Sequence, residues 1–279
     1  MGVYEDFINI GAEIICCRKN CPNIINKPEK GIIPRVFILD KIEYVNDSKE
    51  FVEKLKNASD EIRLGIFGIN PGHILPFENK FYLHILDKYN IKHPTENDIN
   101  DKCKLAFEEI YTLWLSTYFE KLNKKYENIL SYFHNTKSFL NQTYKYLGLQ
   151  KDDLILWTEV VYCEYEEDYQ NSKANKKSLS VDSTECINKF MGKVLNLIKG
   201  DIILCLGKAS YNNMIKLASD SKYEKLLKDK KILGIYHPSG YRGWKQKYFK
   251  DDKDKHINPS YIREIKEFIR EDKNTCWLG

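Results

Sequence analysis

Two short loops contain residues that could bind and activate a small polar ligand. GINPG at 68–72 surrounds Asn70 with two glycines and a proline, which favour a tight, rigid turn. HPSG at 237–240 begins with His237, and the proline that follows it favours an extended backbone. An amide both donates and accepts hydrogen bonds, and a histidine can donate one to a developing negative charge. Each residue alone also fits an ordinary turn or a core histidine, so the inference depends on the pair.

The segments before these loops place both of them at one edge of a sheet. Near-continuous short apolar runs suit strands that are covered on both faces, as in a parallel sheet. Four such runs are RLGIFGI (63–69), LILWTEVVY (154–162), DIILCL (201–206) and KILGIY (231–236). Because predicted helices alternate with them, the sequence predicts an α/β fold, a three-layer α/β/α sandwich with a short, mainly parallel four-stranded sheet. In such sheets, ligand-binding residues follow the carboxyl ends of the strands.

The remaining segments complete a single predicted domain over residues 1–279. An apolar run at 35–44 favours a strand, and a helix is predicted at 48–59. A helical pair across 103–148 is long for a simple crossover between strands. We therefore expect a helical insertion at about 92–150.

The composition excludes a largely disordered chain and disfavours a membrane protein. Hydrophobic residues make up 42% and charged residues 30% of the 279 residues, which allows a sizeable core. The formal net charge of +4 is compatible with a polyanionic partner but does not require one. No apolar run approaches the roughly 18 residues of a membrane helix, and the N-terminus lacks the basic region of a signal peptide. We expect a cytoplasmic or nucleoid-associated monomer that does not bind membranes.

The order of the motifs resembles that of the uracil-DNA glycosylase superfamily. GINPG is followed by LGKA at 206–209 and then by HPSG, each after a predicted strand. GINPG itself is similar to the mismatch-specific branch of that superfamily. TEVVYC at 158–163 resembles the T-N-V-V-K-C segment of the iron–sulphur branch often called family 4. The resemblance covers roughly residues 60–240.

The resemblance implies a monofunctional DNA glycosylase that hydrolyses the N-glycosidic bond of uracil or a related deaminated base in base-excision repair. Its partner would be DNA with a damaged or mismatched base, which is flipped into a pocket. Asn70 would contact the base or position the attacking water, and His237 would donate a hydrogen bond to the leaving base. Gly68, Ile69 and Phe77 would bind the base, with Phe77 stacking on its ring. GINPG and HPSG contain no lysine, so strand cleavage through a Schiff base is not expected.

One base-binding position departs from the family pattern. The family's asparagine, which both donates to and accepts from the uracil edge, aligns with Glu159. An ionised carboxylate only accepts hydrogen bonds and would face O4 of uracil unfavourably unless the pocket raised its pKa. Three interpretations remain open: a protonated Glu159 binds uracil, Glu159 binds another base, or the alignment is shifted by one residue.

The eight cysteines form a second set of candidate functional residues. In a cytoplasmic protein, buried thiols, catalytic groups or metal ligands are expected more often than disulfides. The resemblance to the iron–sulphur branch assigns a [4Fe–4S] cluster, or zinc as the alternative, to Cys17, Cys21, Cys163 and Cys186. The first two are separated by three residues rather than the usual two, and four unrelated thiols are the other possibility.

A loop rich in basic and aromatic residues follows HPSG. By the resemblance, DNA would be contacted by Ser239, Tyr241, Arg242 and Lys245. A solvated surface loop is the alternative for this segment. Two other functions also fit the sequence: a non-catalytic nucleic-acid-binding or damage-sensing member of the same fold, and an unrelated iron–sulphur or zinc protein in which GINPG and HPSG are coincidental turns.

Overall fold

A computed structural model of the chain describes the residues that form its sheet and the helices around it. The described residues are 2–17, 36–40, 47–57, 61–68, 76–91, 101–119, 139–140, 142–150, 153–160, 162, 184–237, 247–250 and 256–279. They contain the strands β1 (Phe37–Asp40), β2 (Ile62–Gly68), β3 (Leu154–Glu159), β4 (Ile198–Leu206), β5 (Lys231–Ile235) and β6 (Thr275–Trp277).

Within these residues the strands form one six-stranded sheet in the order β1-β3-β2-β4-β5-β6. β1 is antiparallel to β3, and all other neighbouring strands are parallel. The four predicted parallel strands, β2 to β5, are present, and the predicted α/β fold class is confirmed. The sheet is wider than four strands because β1 and β6 extend its two edges. β6 was not predicted because its three residues are too few to form a periodic pattern.

The apolar character of the central strands explains why helices cover both faces of the sheet. All six residues of β3 are buried, and in β2 only Arg63 is exposed. A strand that is buried on both faces needs a covering layer on each side, and parallel neighbours need crossover connections between them. The predicted three-layer sandwich is therefore confirmed.

Helices occupy the connections between the strands. Their bounds are α1 (Val3–Ile15), α2 (Ser48–Asn57), α3 (Pro76–Lys88), α4 (Asp101–Trp114), α5 (184–197), α6 (Lys208–Ala218), α7 (Glu224–Leu227) and α8 (Pro259–Arg270). α4 continues into the π-helical turn Leu115–Phe119, and the middle of α5, Ile187–Met191, is also π-helical. In the part of the chain that the structure describes, no helix has the length and apolar character needed to cross a membrane.

α1 packs against α4 and brings the N-terminal segment onto the core. The ring centroids of Phe7 and Tyr111 lie 4.9 Å apart in an edge-to-face arrangement. The thiol of Cys16, just after α1, lies 2.8 Å from the thiol of Cys103 in α4. α4 lies in the segment predicted as a helical insertion, and its buried residues are part of the main hydrophobic core.

The carboxyl ends of four parallel strands meet at one edge of the sheet. At this edge β2 ends at Gly68, β3 at Glu159, β4 at Leu206 and β5 at Ile235. The loops that follow these strands begin with the motifs that the sequence analysis identified. A site built from those motifs is therefore expected at this edge.

Candidate active site

His237 lies two residues beyond the end of β5, at the carboxyl edge of the sheet. Its side chain is partly exposed, and burial of the rest lowers the pKa of the imidazole from 6.5 to about 4. At neutral pH the ring is therefore uncharged, with one nitrogen that donates a hydrogen bond and one that accepts. This form can donate to a developing anion without carrying a positive charge into a partly desolvated site.

Gly207 holds the loop between β4 and α6 against the histidine. Its N–H donates a hydrogen bond of 2.8 Å to the carbonyl of Ile235, the last residue of β5. Its φ of 89° and ψ of 155° lie in a region that essentially only glycine adopts. A Cβ atom on Gly207 would lie 3.2 Å from the Cβ of His237. The loop can therefore pass this close to His237 only with glycine at this position.

Ser210, in the first turn of α6, connects this helix to β2. Its hydroxyl donates a hydrogen bond of 2.8 Å to the carbonyl of Phe67, and the serine is fully buried. Phe67 precedes Gly68, where the GINPG loop begins. Gly207 and Ser210 thus join one helical turn to the two strands whose loops carry the candidate catalytic residues. Sequence reasoning missed Ser210, whose only signal was its position directly after LGKA.

Glu159 lies beside Gly68 at the ends of two neighbouring strands. The two residues are partners in the pairing of β2 with β3, and the N–H of Val160 donates a hydrogen bond of 3.1 Å to the carbonyl of Gly68. Only 3% of Glu159 is exposed. A Cβ atom on Gly68 would overlap with Oε2 of Glu159, so the carboxylate lies directly over the Gly68 backbone. The structure thus places this carboxylate next to the start of the GINPG loop.

Tyr162 anchors the chain that follows Glu159. The hydroxyl groups of Tyr162 and Thr158 share a hydrogen bond of 2.8 Å, and the Tyr162 ring packs edge-to-face on Phe190 with centroids 5.6 Å apart. Burial raises the pKa of Tyr162 well above its usual value, and the charges of Cys186 and Glu159 act in the same direction. Phe190 follows Cys186 by four residues in α5, so Tyr162 packs against the beginning of the helix that contains Cys186.

The four cysteines assigned to a cluster are only partly within the described residues. Cys17, after α1, and Cys186 are both buried, whereas Cys21 and Cys163 lie outside the described residues. Tyr162, which packs on Phe190 of the same helix as Cys186, is the chain neighbour of Cys163. Buried thiols at these positions fit the ligands of an iron–sulphur cluster or of zinc. Among the described residues alone, no three metal-binding side chains are grouped to hold an ion.

The other predicted site residues are placed only in part. The residues outside the described ranges are Ile69, Asn70, Ser239, Tyr241, Arg242 and Lys245. Phe77 belongs to the first turn of α3, and its side chain is not among those described. Of the predicted set, the structure therefore brings Gly68 and Glu159 together and places His237 at the same edge, just after β5, which is two strands along from β2.

One known family matches the part of the chain that contains the parallel strands and the candidate site. The family model of the uracil DNA glycosylase superfamily matches residues 55–261, which include β2 to β5. The match contains Gly68, Glu159, Gly207, Ser210 and His237. No curated protein matches the chain. Since the family match covers well over half of the chain and all four strand ends, the predicted resemblance to this superfamily is confirmed, and the chain belongs to the uracil DNA glycosylase superfamily.

Proposed function

We propose that the protein is a monofunctional DNA glycosylase that removes uracil or a related deaminated base from DNA in base-excision repair. Members of its superfamily are in general hydrolytic glycosylases that act on DNA. The observation that carries the proposal is the position of His237 at the carboxyl edge of the sheet, against the backbone of Gly207. Superfamily membership also excludes the alternative of an unrelated iron–sulphur or zinc protein.

The proposed reaction breaks the bond between C1′ of the deoxyribose and a nitrogen of the base. The bonding electron pair leaves with the base, so negative charge grows on the base and on O2 of a pyrimidine. The oxygen of a water molecule then bonds to C1′, and that water releases a proton. A donor held at O2 binds the transition state more tightly than the ground state, and this difference accelerates the reaction. His237 is the proposed donor, because its neutral ring keeps one N–H for this bond.

Asn70 is the proposed partner of His237 in catalysis. It follows Gly68 by two residues in a loop whose glycines and proline favour a rigid turn. An amide there can accept a hydrogen bond from the water that attacks C1′, or can contact the base. Ile69 and Gly68 would contribute backbone groups to the base pocket, and Phe77 would contribute a ring for stacking on the flipped base.

Glu159 bears on which base is removed. Its burial against Gly68 supports the proposal that the carboxylate lines the base pocket. An ionised carboxylate accepts hydrogen bonds and favours a base edge with a ring N–H or an exocyclic amine. A protonated carboxyl group can instead donate to a carbonyl such as O4 of uracil. The proposal therefore covers uracil together with other deaminated bases.

The loop after His237 is proposed to contact DNA close to the excised nucleotide. It contains Ser239, Tyr241, Arg242 and Lys245, which follow the histidine closely in the chain. Basic side chains in this loop would contact phosphates, and Tyr241 or Arg242 would replace the flipped base in the stack.

We further propose that Cys17, Cys21, Cys163 and Cys186 hold a [4Fe–4S] cluster, with zinc as the alternative. The support is the burial of Cys17 and Cys186 and the packing of Tyr162, the residue before Cys163, on Phe190, four residues after Cys186. Four cysteine thiolates supply the ligands of such a cluster. Its role would be structural, because hydrolysis of the glycosidic bond transfers no electrons.

The metal content of purified protein tests the cluster. Freshly purified protein should be brown, absorb near ~400 nm and contain about four irons per chain. Cys186→Ser should lower the iron content, whereas Cys276→Ser, which changes a partly exposed cysteine in β6, should leave it unchanged. Protein purified without oxygen that contains neither iron nor zinc would mean that the four cysteines are ordinary thiols.

Base release by two variants tests the proposed catalytic pair. His237→Ala and Asn70→Ala should each slow excision by about 10²–10³-fold, because each removes a preorganised polar group. His84→Ala, which removes an exposed imidazole from α3, is the matched control and should excise at the wild-type rate. Wild-type rates in both active-site variants would reject this assignment. Tight binding of damaged DNA without base release by the wild type would instead favour the non-catalytic alternative.

A further inference from the structure

Three aromatic rings pack together near His237, at the carboxyl ends of β5 and β6. The ring centroids of Tyr236 and Trp277 lie 5.5 Å apart with nearly perpendicular planes, and those of Tyr211 and Trp277 are also 5.5 Å apart. Gly234 makes room for this packing, because a Cβ atom there would overlap with Trp277 and Tyr211. Each of the three rings keeps part of its surface exposed.

Two lysines cover these rings from the solvent side. Nζ of Lys208 lies 4.5 Å from the centroid of Trp277 and 4.9 Å from that of Tyr211. Nζ of Lys247 lies 5.3 Å from the centroid of Tyr236. These five residues are referred to below as the lysine–aromatic patch.

The positive charges of the patch are held by rings and not by carboxylates. Within the described residues, Lys208 and Lys247 form cation–π contacts but no ion pair. Other lysines of the protein do pair with carboxylates, as Lys193 does with Glu13. A ring attracts an ammonium group and fixes its position but does not neutralise its charge. The patch therefore presents two positive charges at defined positions.

The patch adjoins the candidate active site through the chain itself. Tyr236 immediately precedes His237, and Lys208 immediately follows Gly207, whose backbone lies against His237. Glu159 ends β3 and Trp277 ends β6, so in the strand order β5, which leads to His237, lies between Glu159 and this ring of the patch. DNA with one nucleotide at His237 would therefore bring neighbouring phosphates towards Lys208 and Lys247.

We propose that the lysine–aromatic patch binds phosphate groups of the DNA strand on one side of the excised nucleotide. The proposal rests on the proposed glycosylase function, because it takes the position of that nucleotide from His237. Lys208 and Lys247 each contact a phosphate, and the rings hold the two side chains in place before DNA binds. Side chains that are already ordered lose less conformational entropy on binding. Phosphate contacts read no bases, so the patch contributes affinity without sequence preference.

The salt dependence of DNA binding tests this proposal. The plot of log K against log salt has a negative slope, and each lost phosphate contact makes that slope shallower by about 0.9 for duplex DNA. An undamaged duplex oligonucleotide is the probe, titrated at several salt concentrations with Lys208→Gln, Lys247→Gln and the double variant. Lys266→Gln is the matched control, because its Nζ lies 5.0 Å from the ring of Tyr146 and makes the same kind of contact on α8. The magnitude of the slope should fall by about 0.9 in each single variant and by about 1.8 in the double variant, and it should not change in the control.

Two outcomes would reject the proposal. One is a double variant whose slope equals that of Lys266→Gln. The other is a lower free energy of unfolding in the patch variants with an unchanged slope, which would mean that the lysines only cover the rings. The probe carries no base to excise, so the measurement is independent of glycosylase activity. If the wild type released no base while the patch variants showed a weaker salt dependence of DNA binding, the proposed function would be rejected. Phosphate binding by the patch would still hold.

Discussion

The Cβ atom of His237 lies 3.2 Å from the position that a Cβ atom would take on Gly207. The N–H of Gly207 also donates to the carbonyl of Ile235, two residues before the histidine. The position of the proposed hydrogen-bond donor is therefore set by a loop that follows a different strand. Changes at Gly207 should consequently affect excision without removing any group that contacts DNA.

Gly207→Ala is expected to lower both stability and excision. Its φ of 89° and ψ of 155° are strained for any other residue, at about 1–3 kcal/mol. The new methyl group also requires His237 to shift by a few tenths of an ångström. Since a shift of about 1 Å at a catalytic group lowers the rate by about 10²-fold, we expect a loss of rate smaller than that. Urea unfolding and single-turnover excision measure the two effects separately.

Gly148→Ala is the control for the backbone effect. Gly148 also has a positive φ, 78°, but a Cβ atom there would have nothing within 4 Å. This variant should lose about 1–2 kcal/mol of stability and excise at the wild-type rate. If Gly207→Ala and Gly148→Ala had the same excision rate, the contact with His237 would have no catalytic consequence.

Ser210→Ala tests the connection between α6 and β2. It removes a buried hydrogen bond to the carbonyl of Phe67, which lowers the free energy of unfolding by about 1–3 kcal/mol. Because Phe67 leads into the GINPG loop, kcat should fall while KM changes little. Ser219→Ala is the matched control, since that hydroxyl bonds the carbonyl of Ile215 on an exposed part of its helix. Equal kcat values for the two variants would limit Ser210 to a role in stability.

The low pKa of His237 predicts a pH dependence of stability. The pKa is about 4 in the folded protein, whereas an unfolded histidine titrates near 6.5. Between these values the unfolded chain binds more protons, so the free energy of unfolding falls as the pH is lowered from about 6.5 to about 4. Above about 6.5 the residue is neutral in both states and contributes no pH dependence.

His237→Gln should make this fall in stability shallower, as measured by urea unfolding across the same pH range. His84→Gln controls for the loss of an exposed histidine. Parallel pH curves for His237→Gln and the wild type would show that His237 is not buried in its neutral form.

Replacing Glu159 tests its proposed contact with the base. Glu159→Gln and Glu159→Asn supply an amide that both donates and accepts, which matches the uracil edge. Uracil excision should rise at neutral pH, or the pH optimum should move upward if the wild type acts through a protonated Glu159. Glu267→Gln, on the exposed face of α8, should change neither quantity. An unchanged rate and pH profile in both Glu159 variants would place the carboxylate outside the base pocket.

The sheet could be predicted from the sequence because its strands are buried on both faces. The run from Leu154 to Glu159 is buried at every position, and its nearly continuous apolar sequence by itself predicts a buried strand. The sequence of β6 has no such pattern, because the strand forms only through pairing with β5, as between Trp277 and Gly234. Local pattern thus predicts the central strands and misses the edge strand that completes the lysine–aromatic patch.

In the site, too, local motifs predicted some residues, whereas contacts between distant parts of the chain could not be predicted. His237 and Glu159 were predicted from the motifs, and the parallel register explains why Glu159 lies beside Gly68. The roles of Gly207 and Ser210 depend on contacts between loops of different strands, which no local spacing reveals. The thiol contact between Cys16 and Cys103 was missed for the same reason, because 87 positions separate them.

Release of free base is the measurement that tests the central claim most directly. Labelled oligonucleotides containing uracil, hypoxanthine, xanthine or a thymine mismatch would be incubated with the wild type and with His237→Ala under single-turnover conditions. The wild type should release at least one of the deaminated bases and leave the strand intact, and His237→Ala should be slower by about 10²–10³-fold on the same substrate. Wild-type protein that binds these oligonucleotides and releases none of the bases would contradict the account.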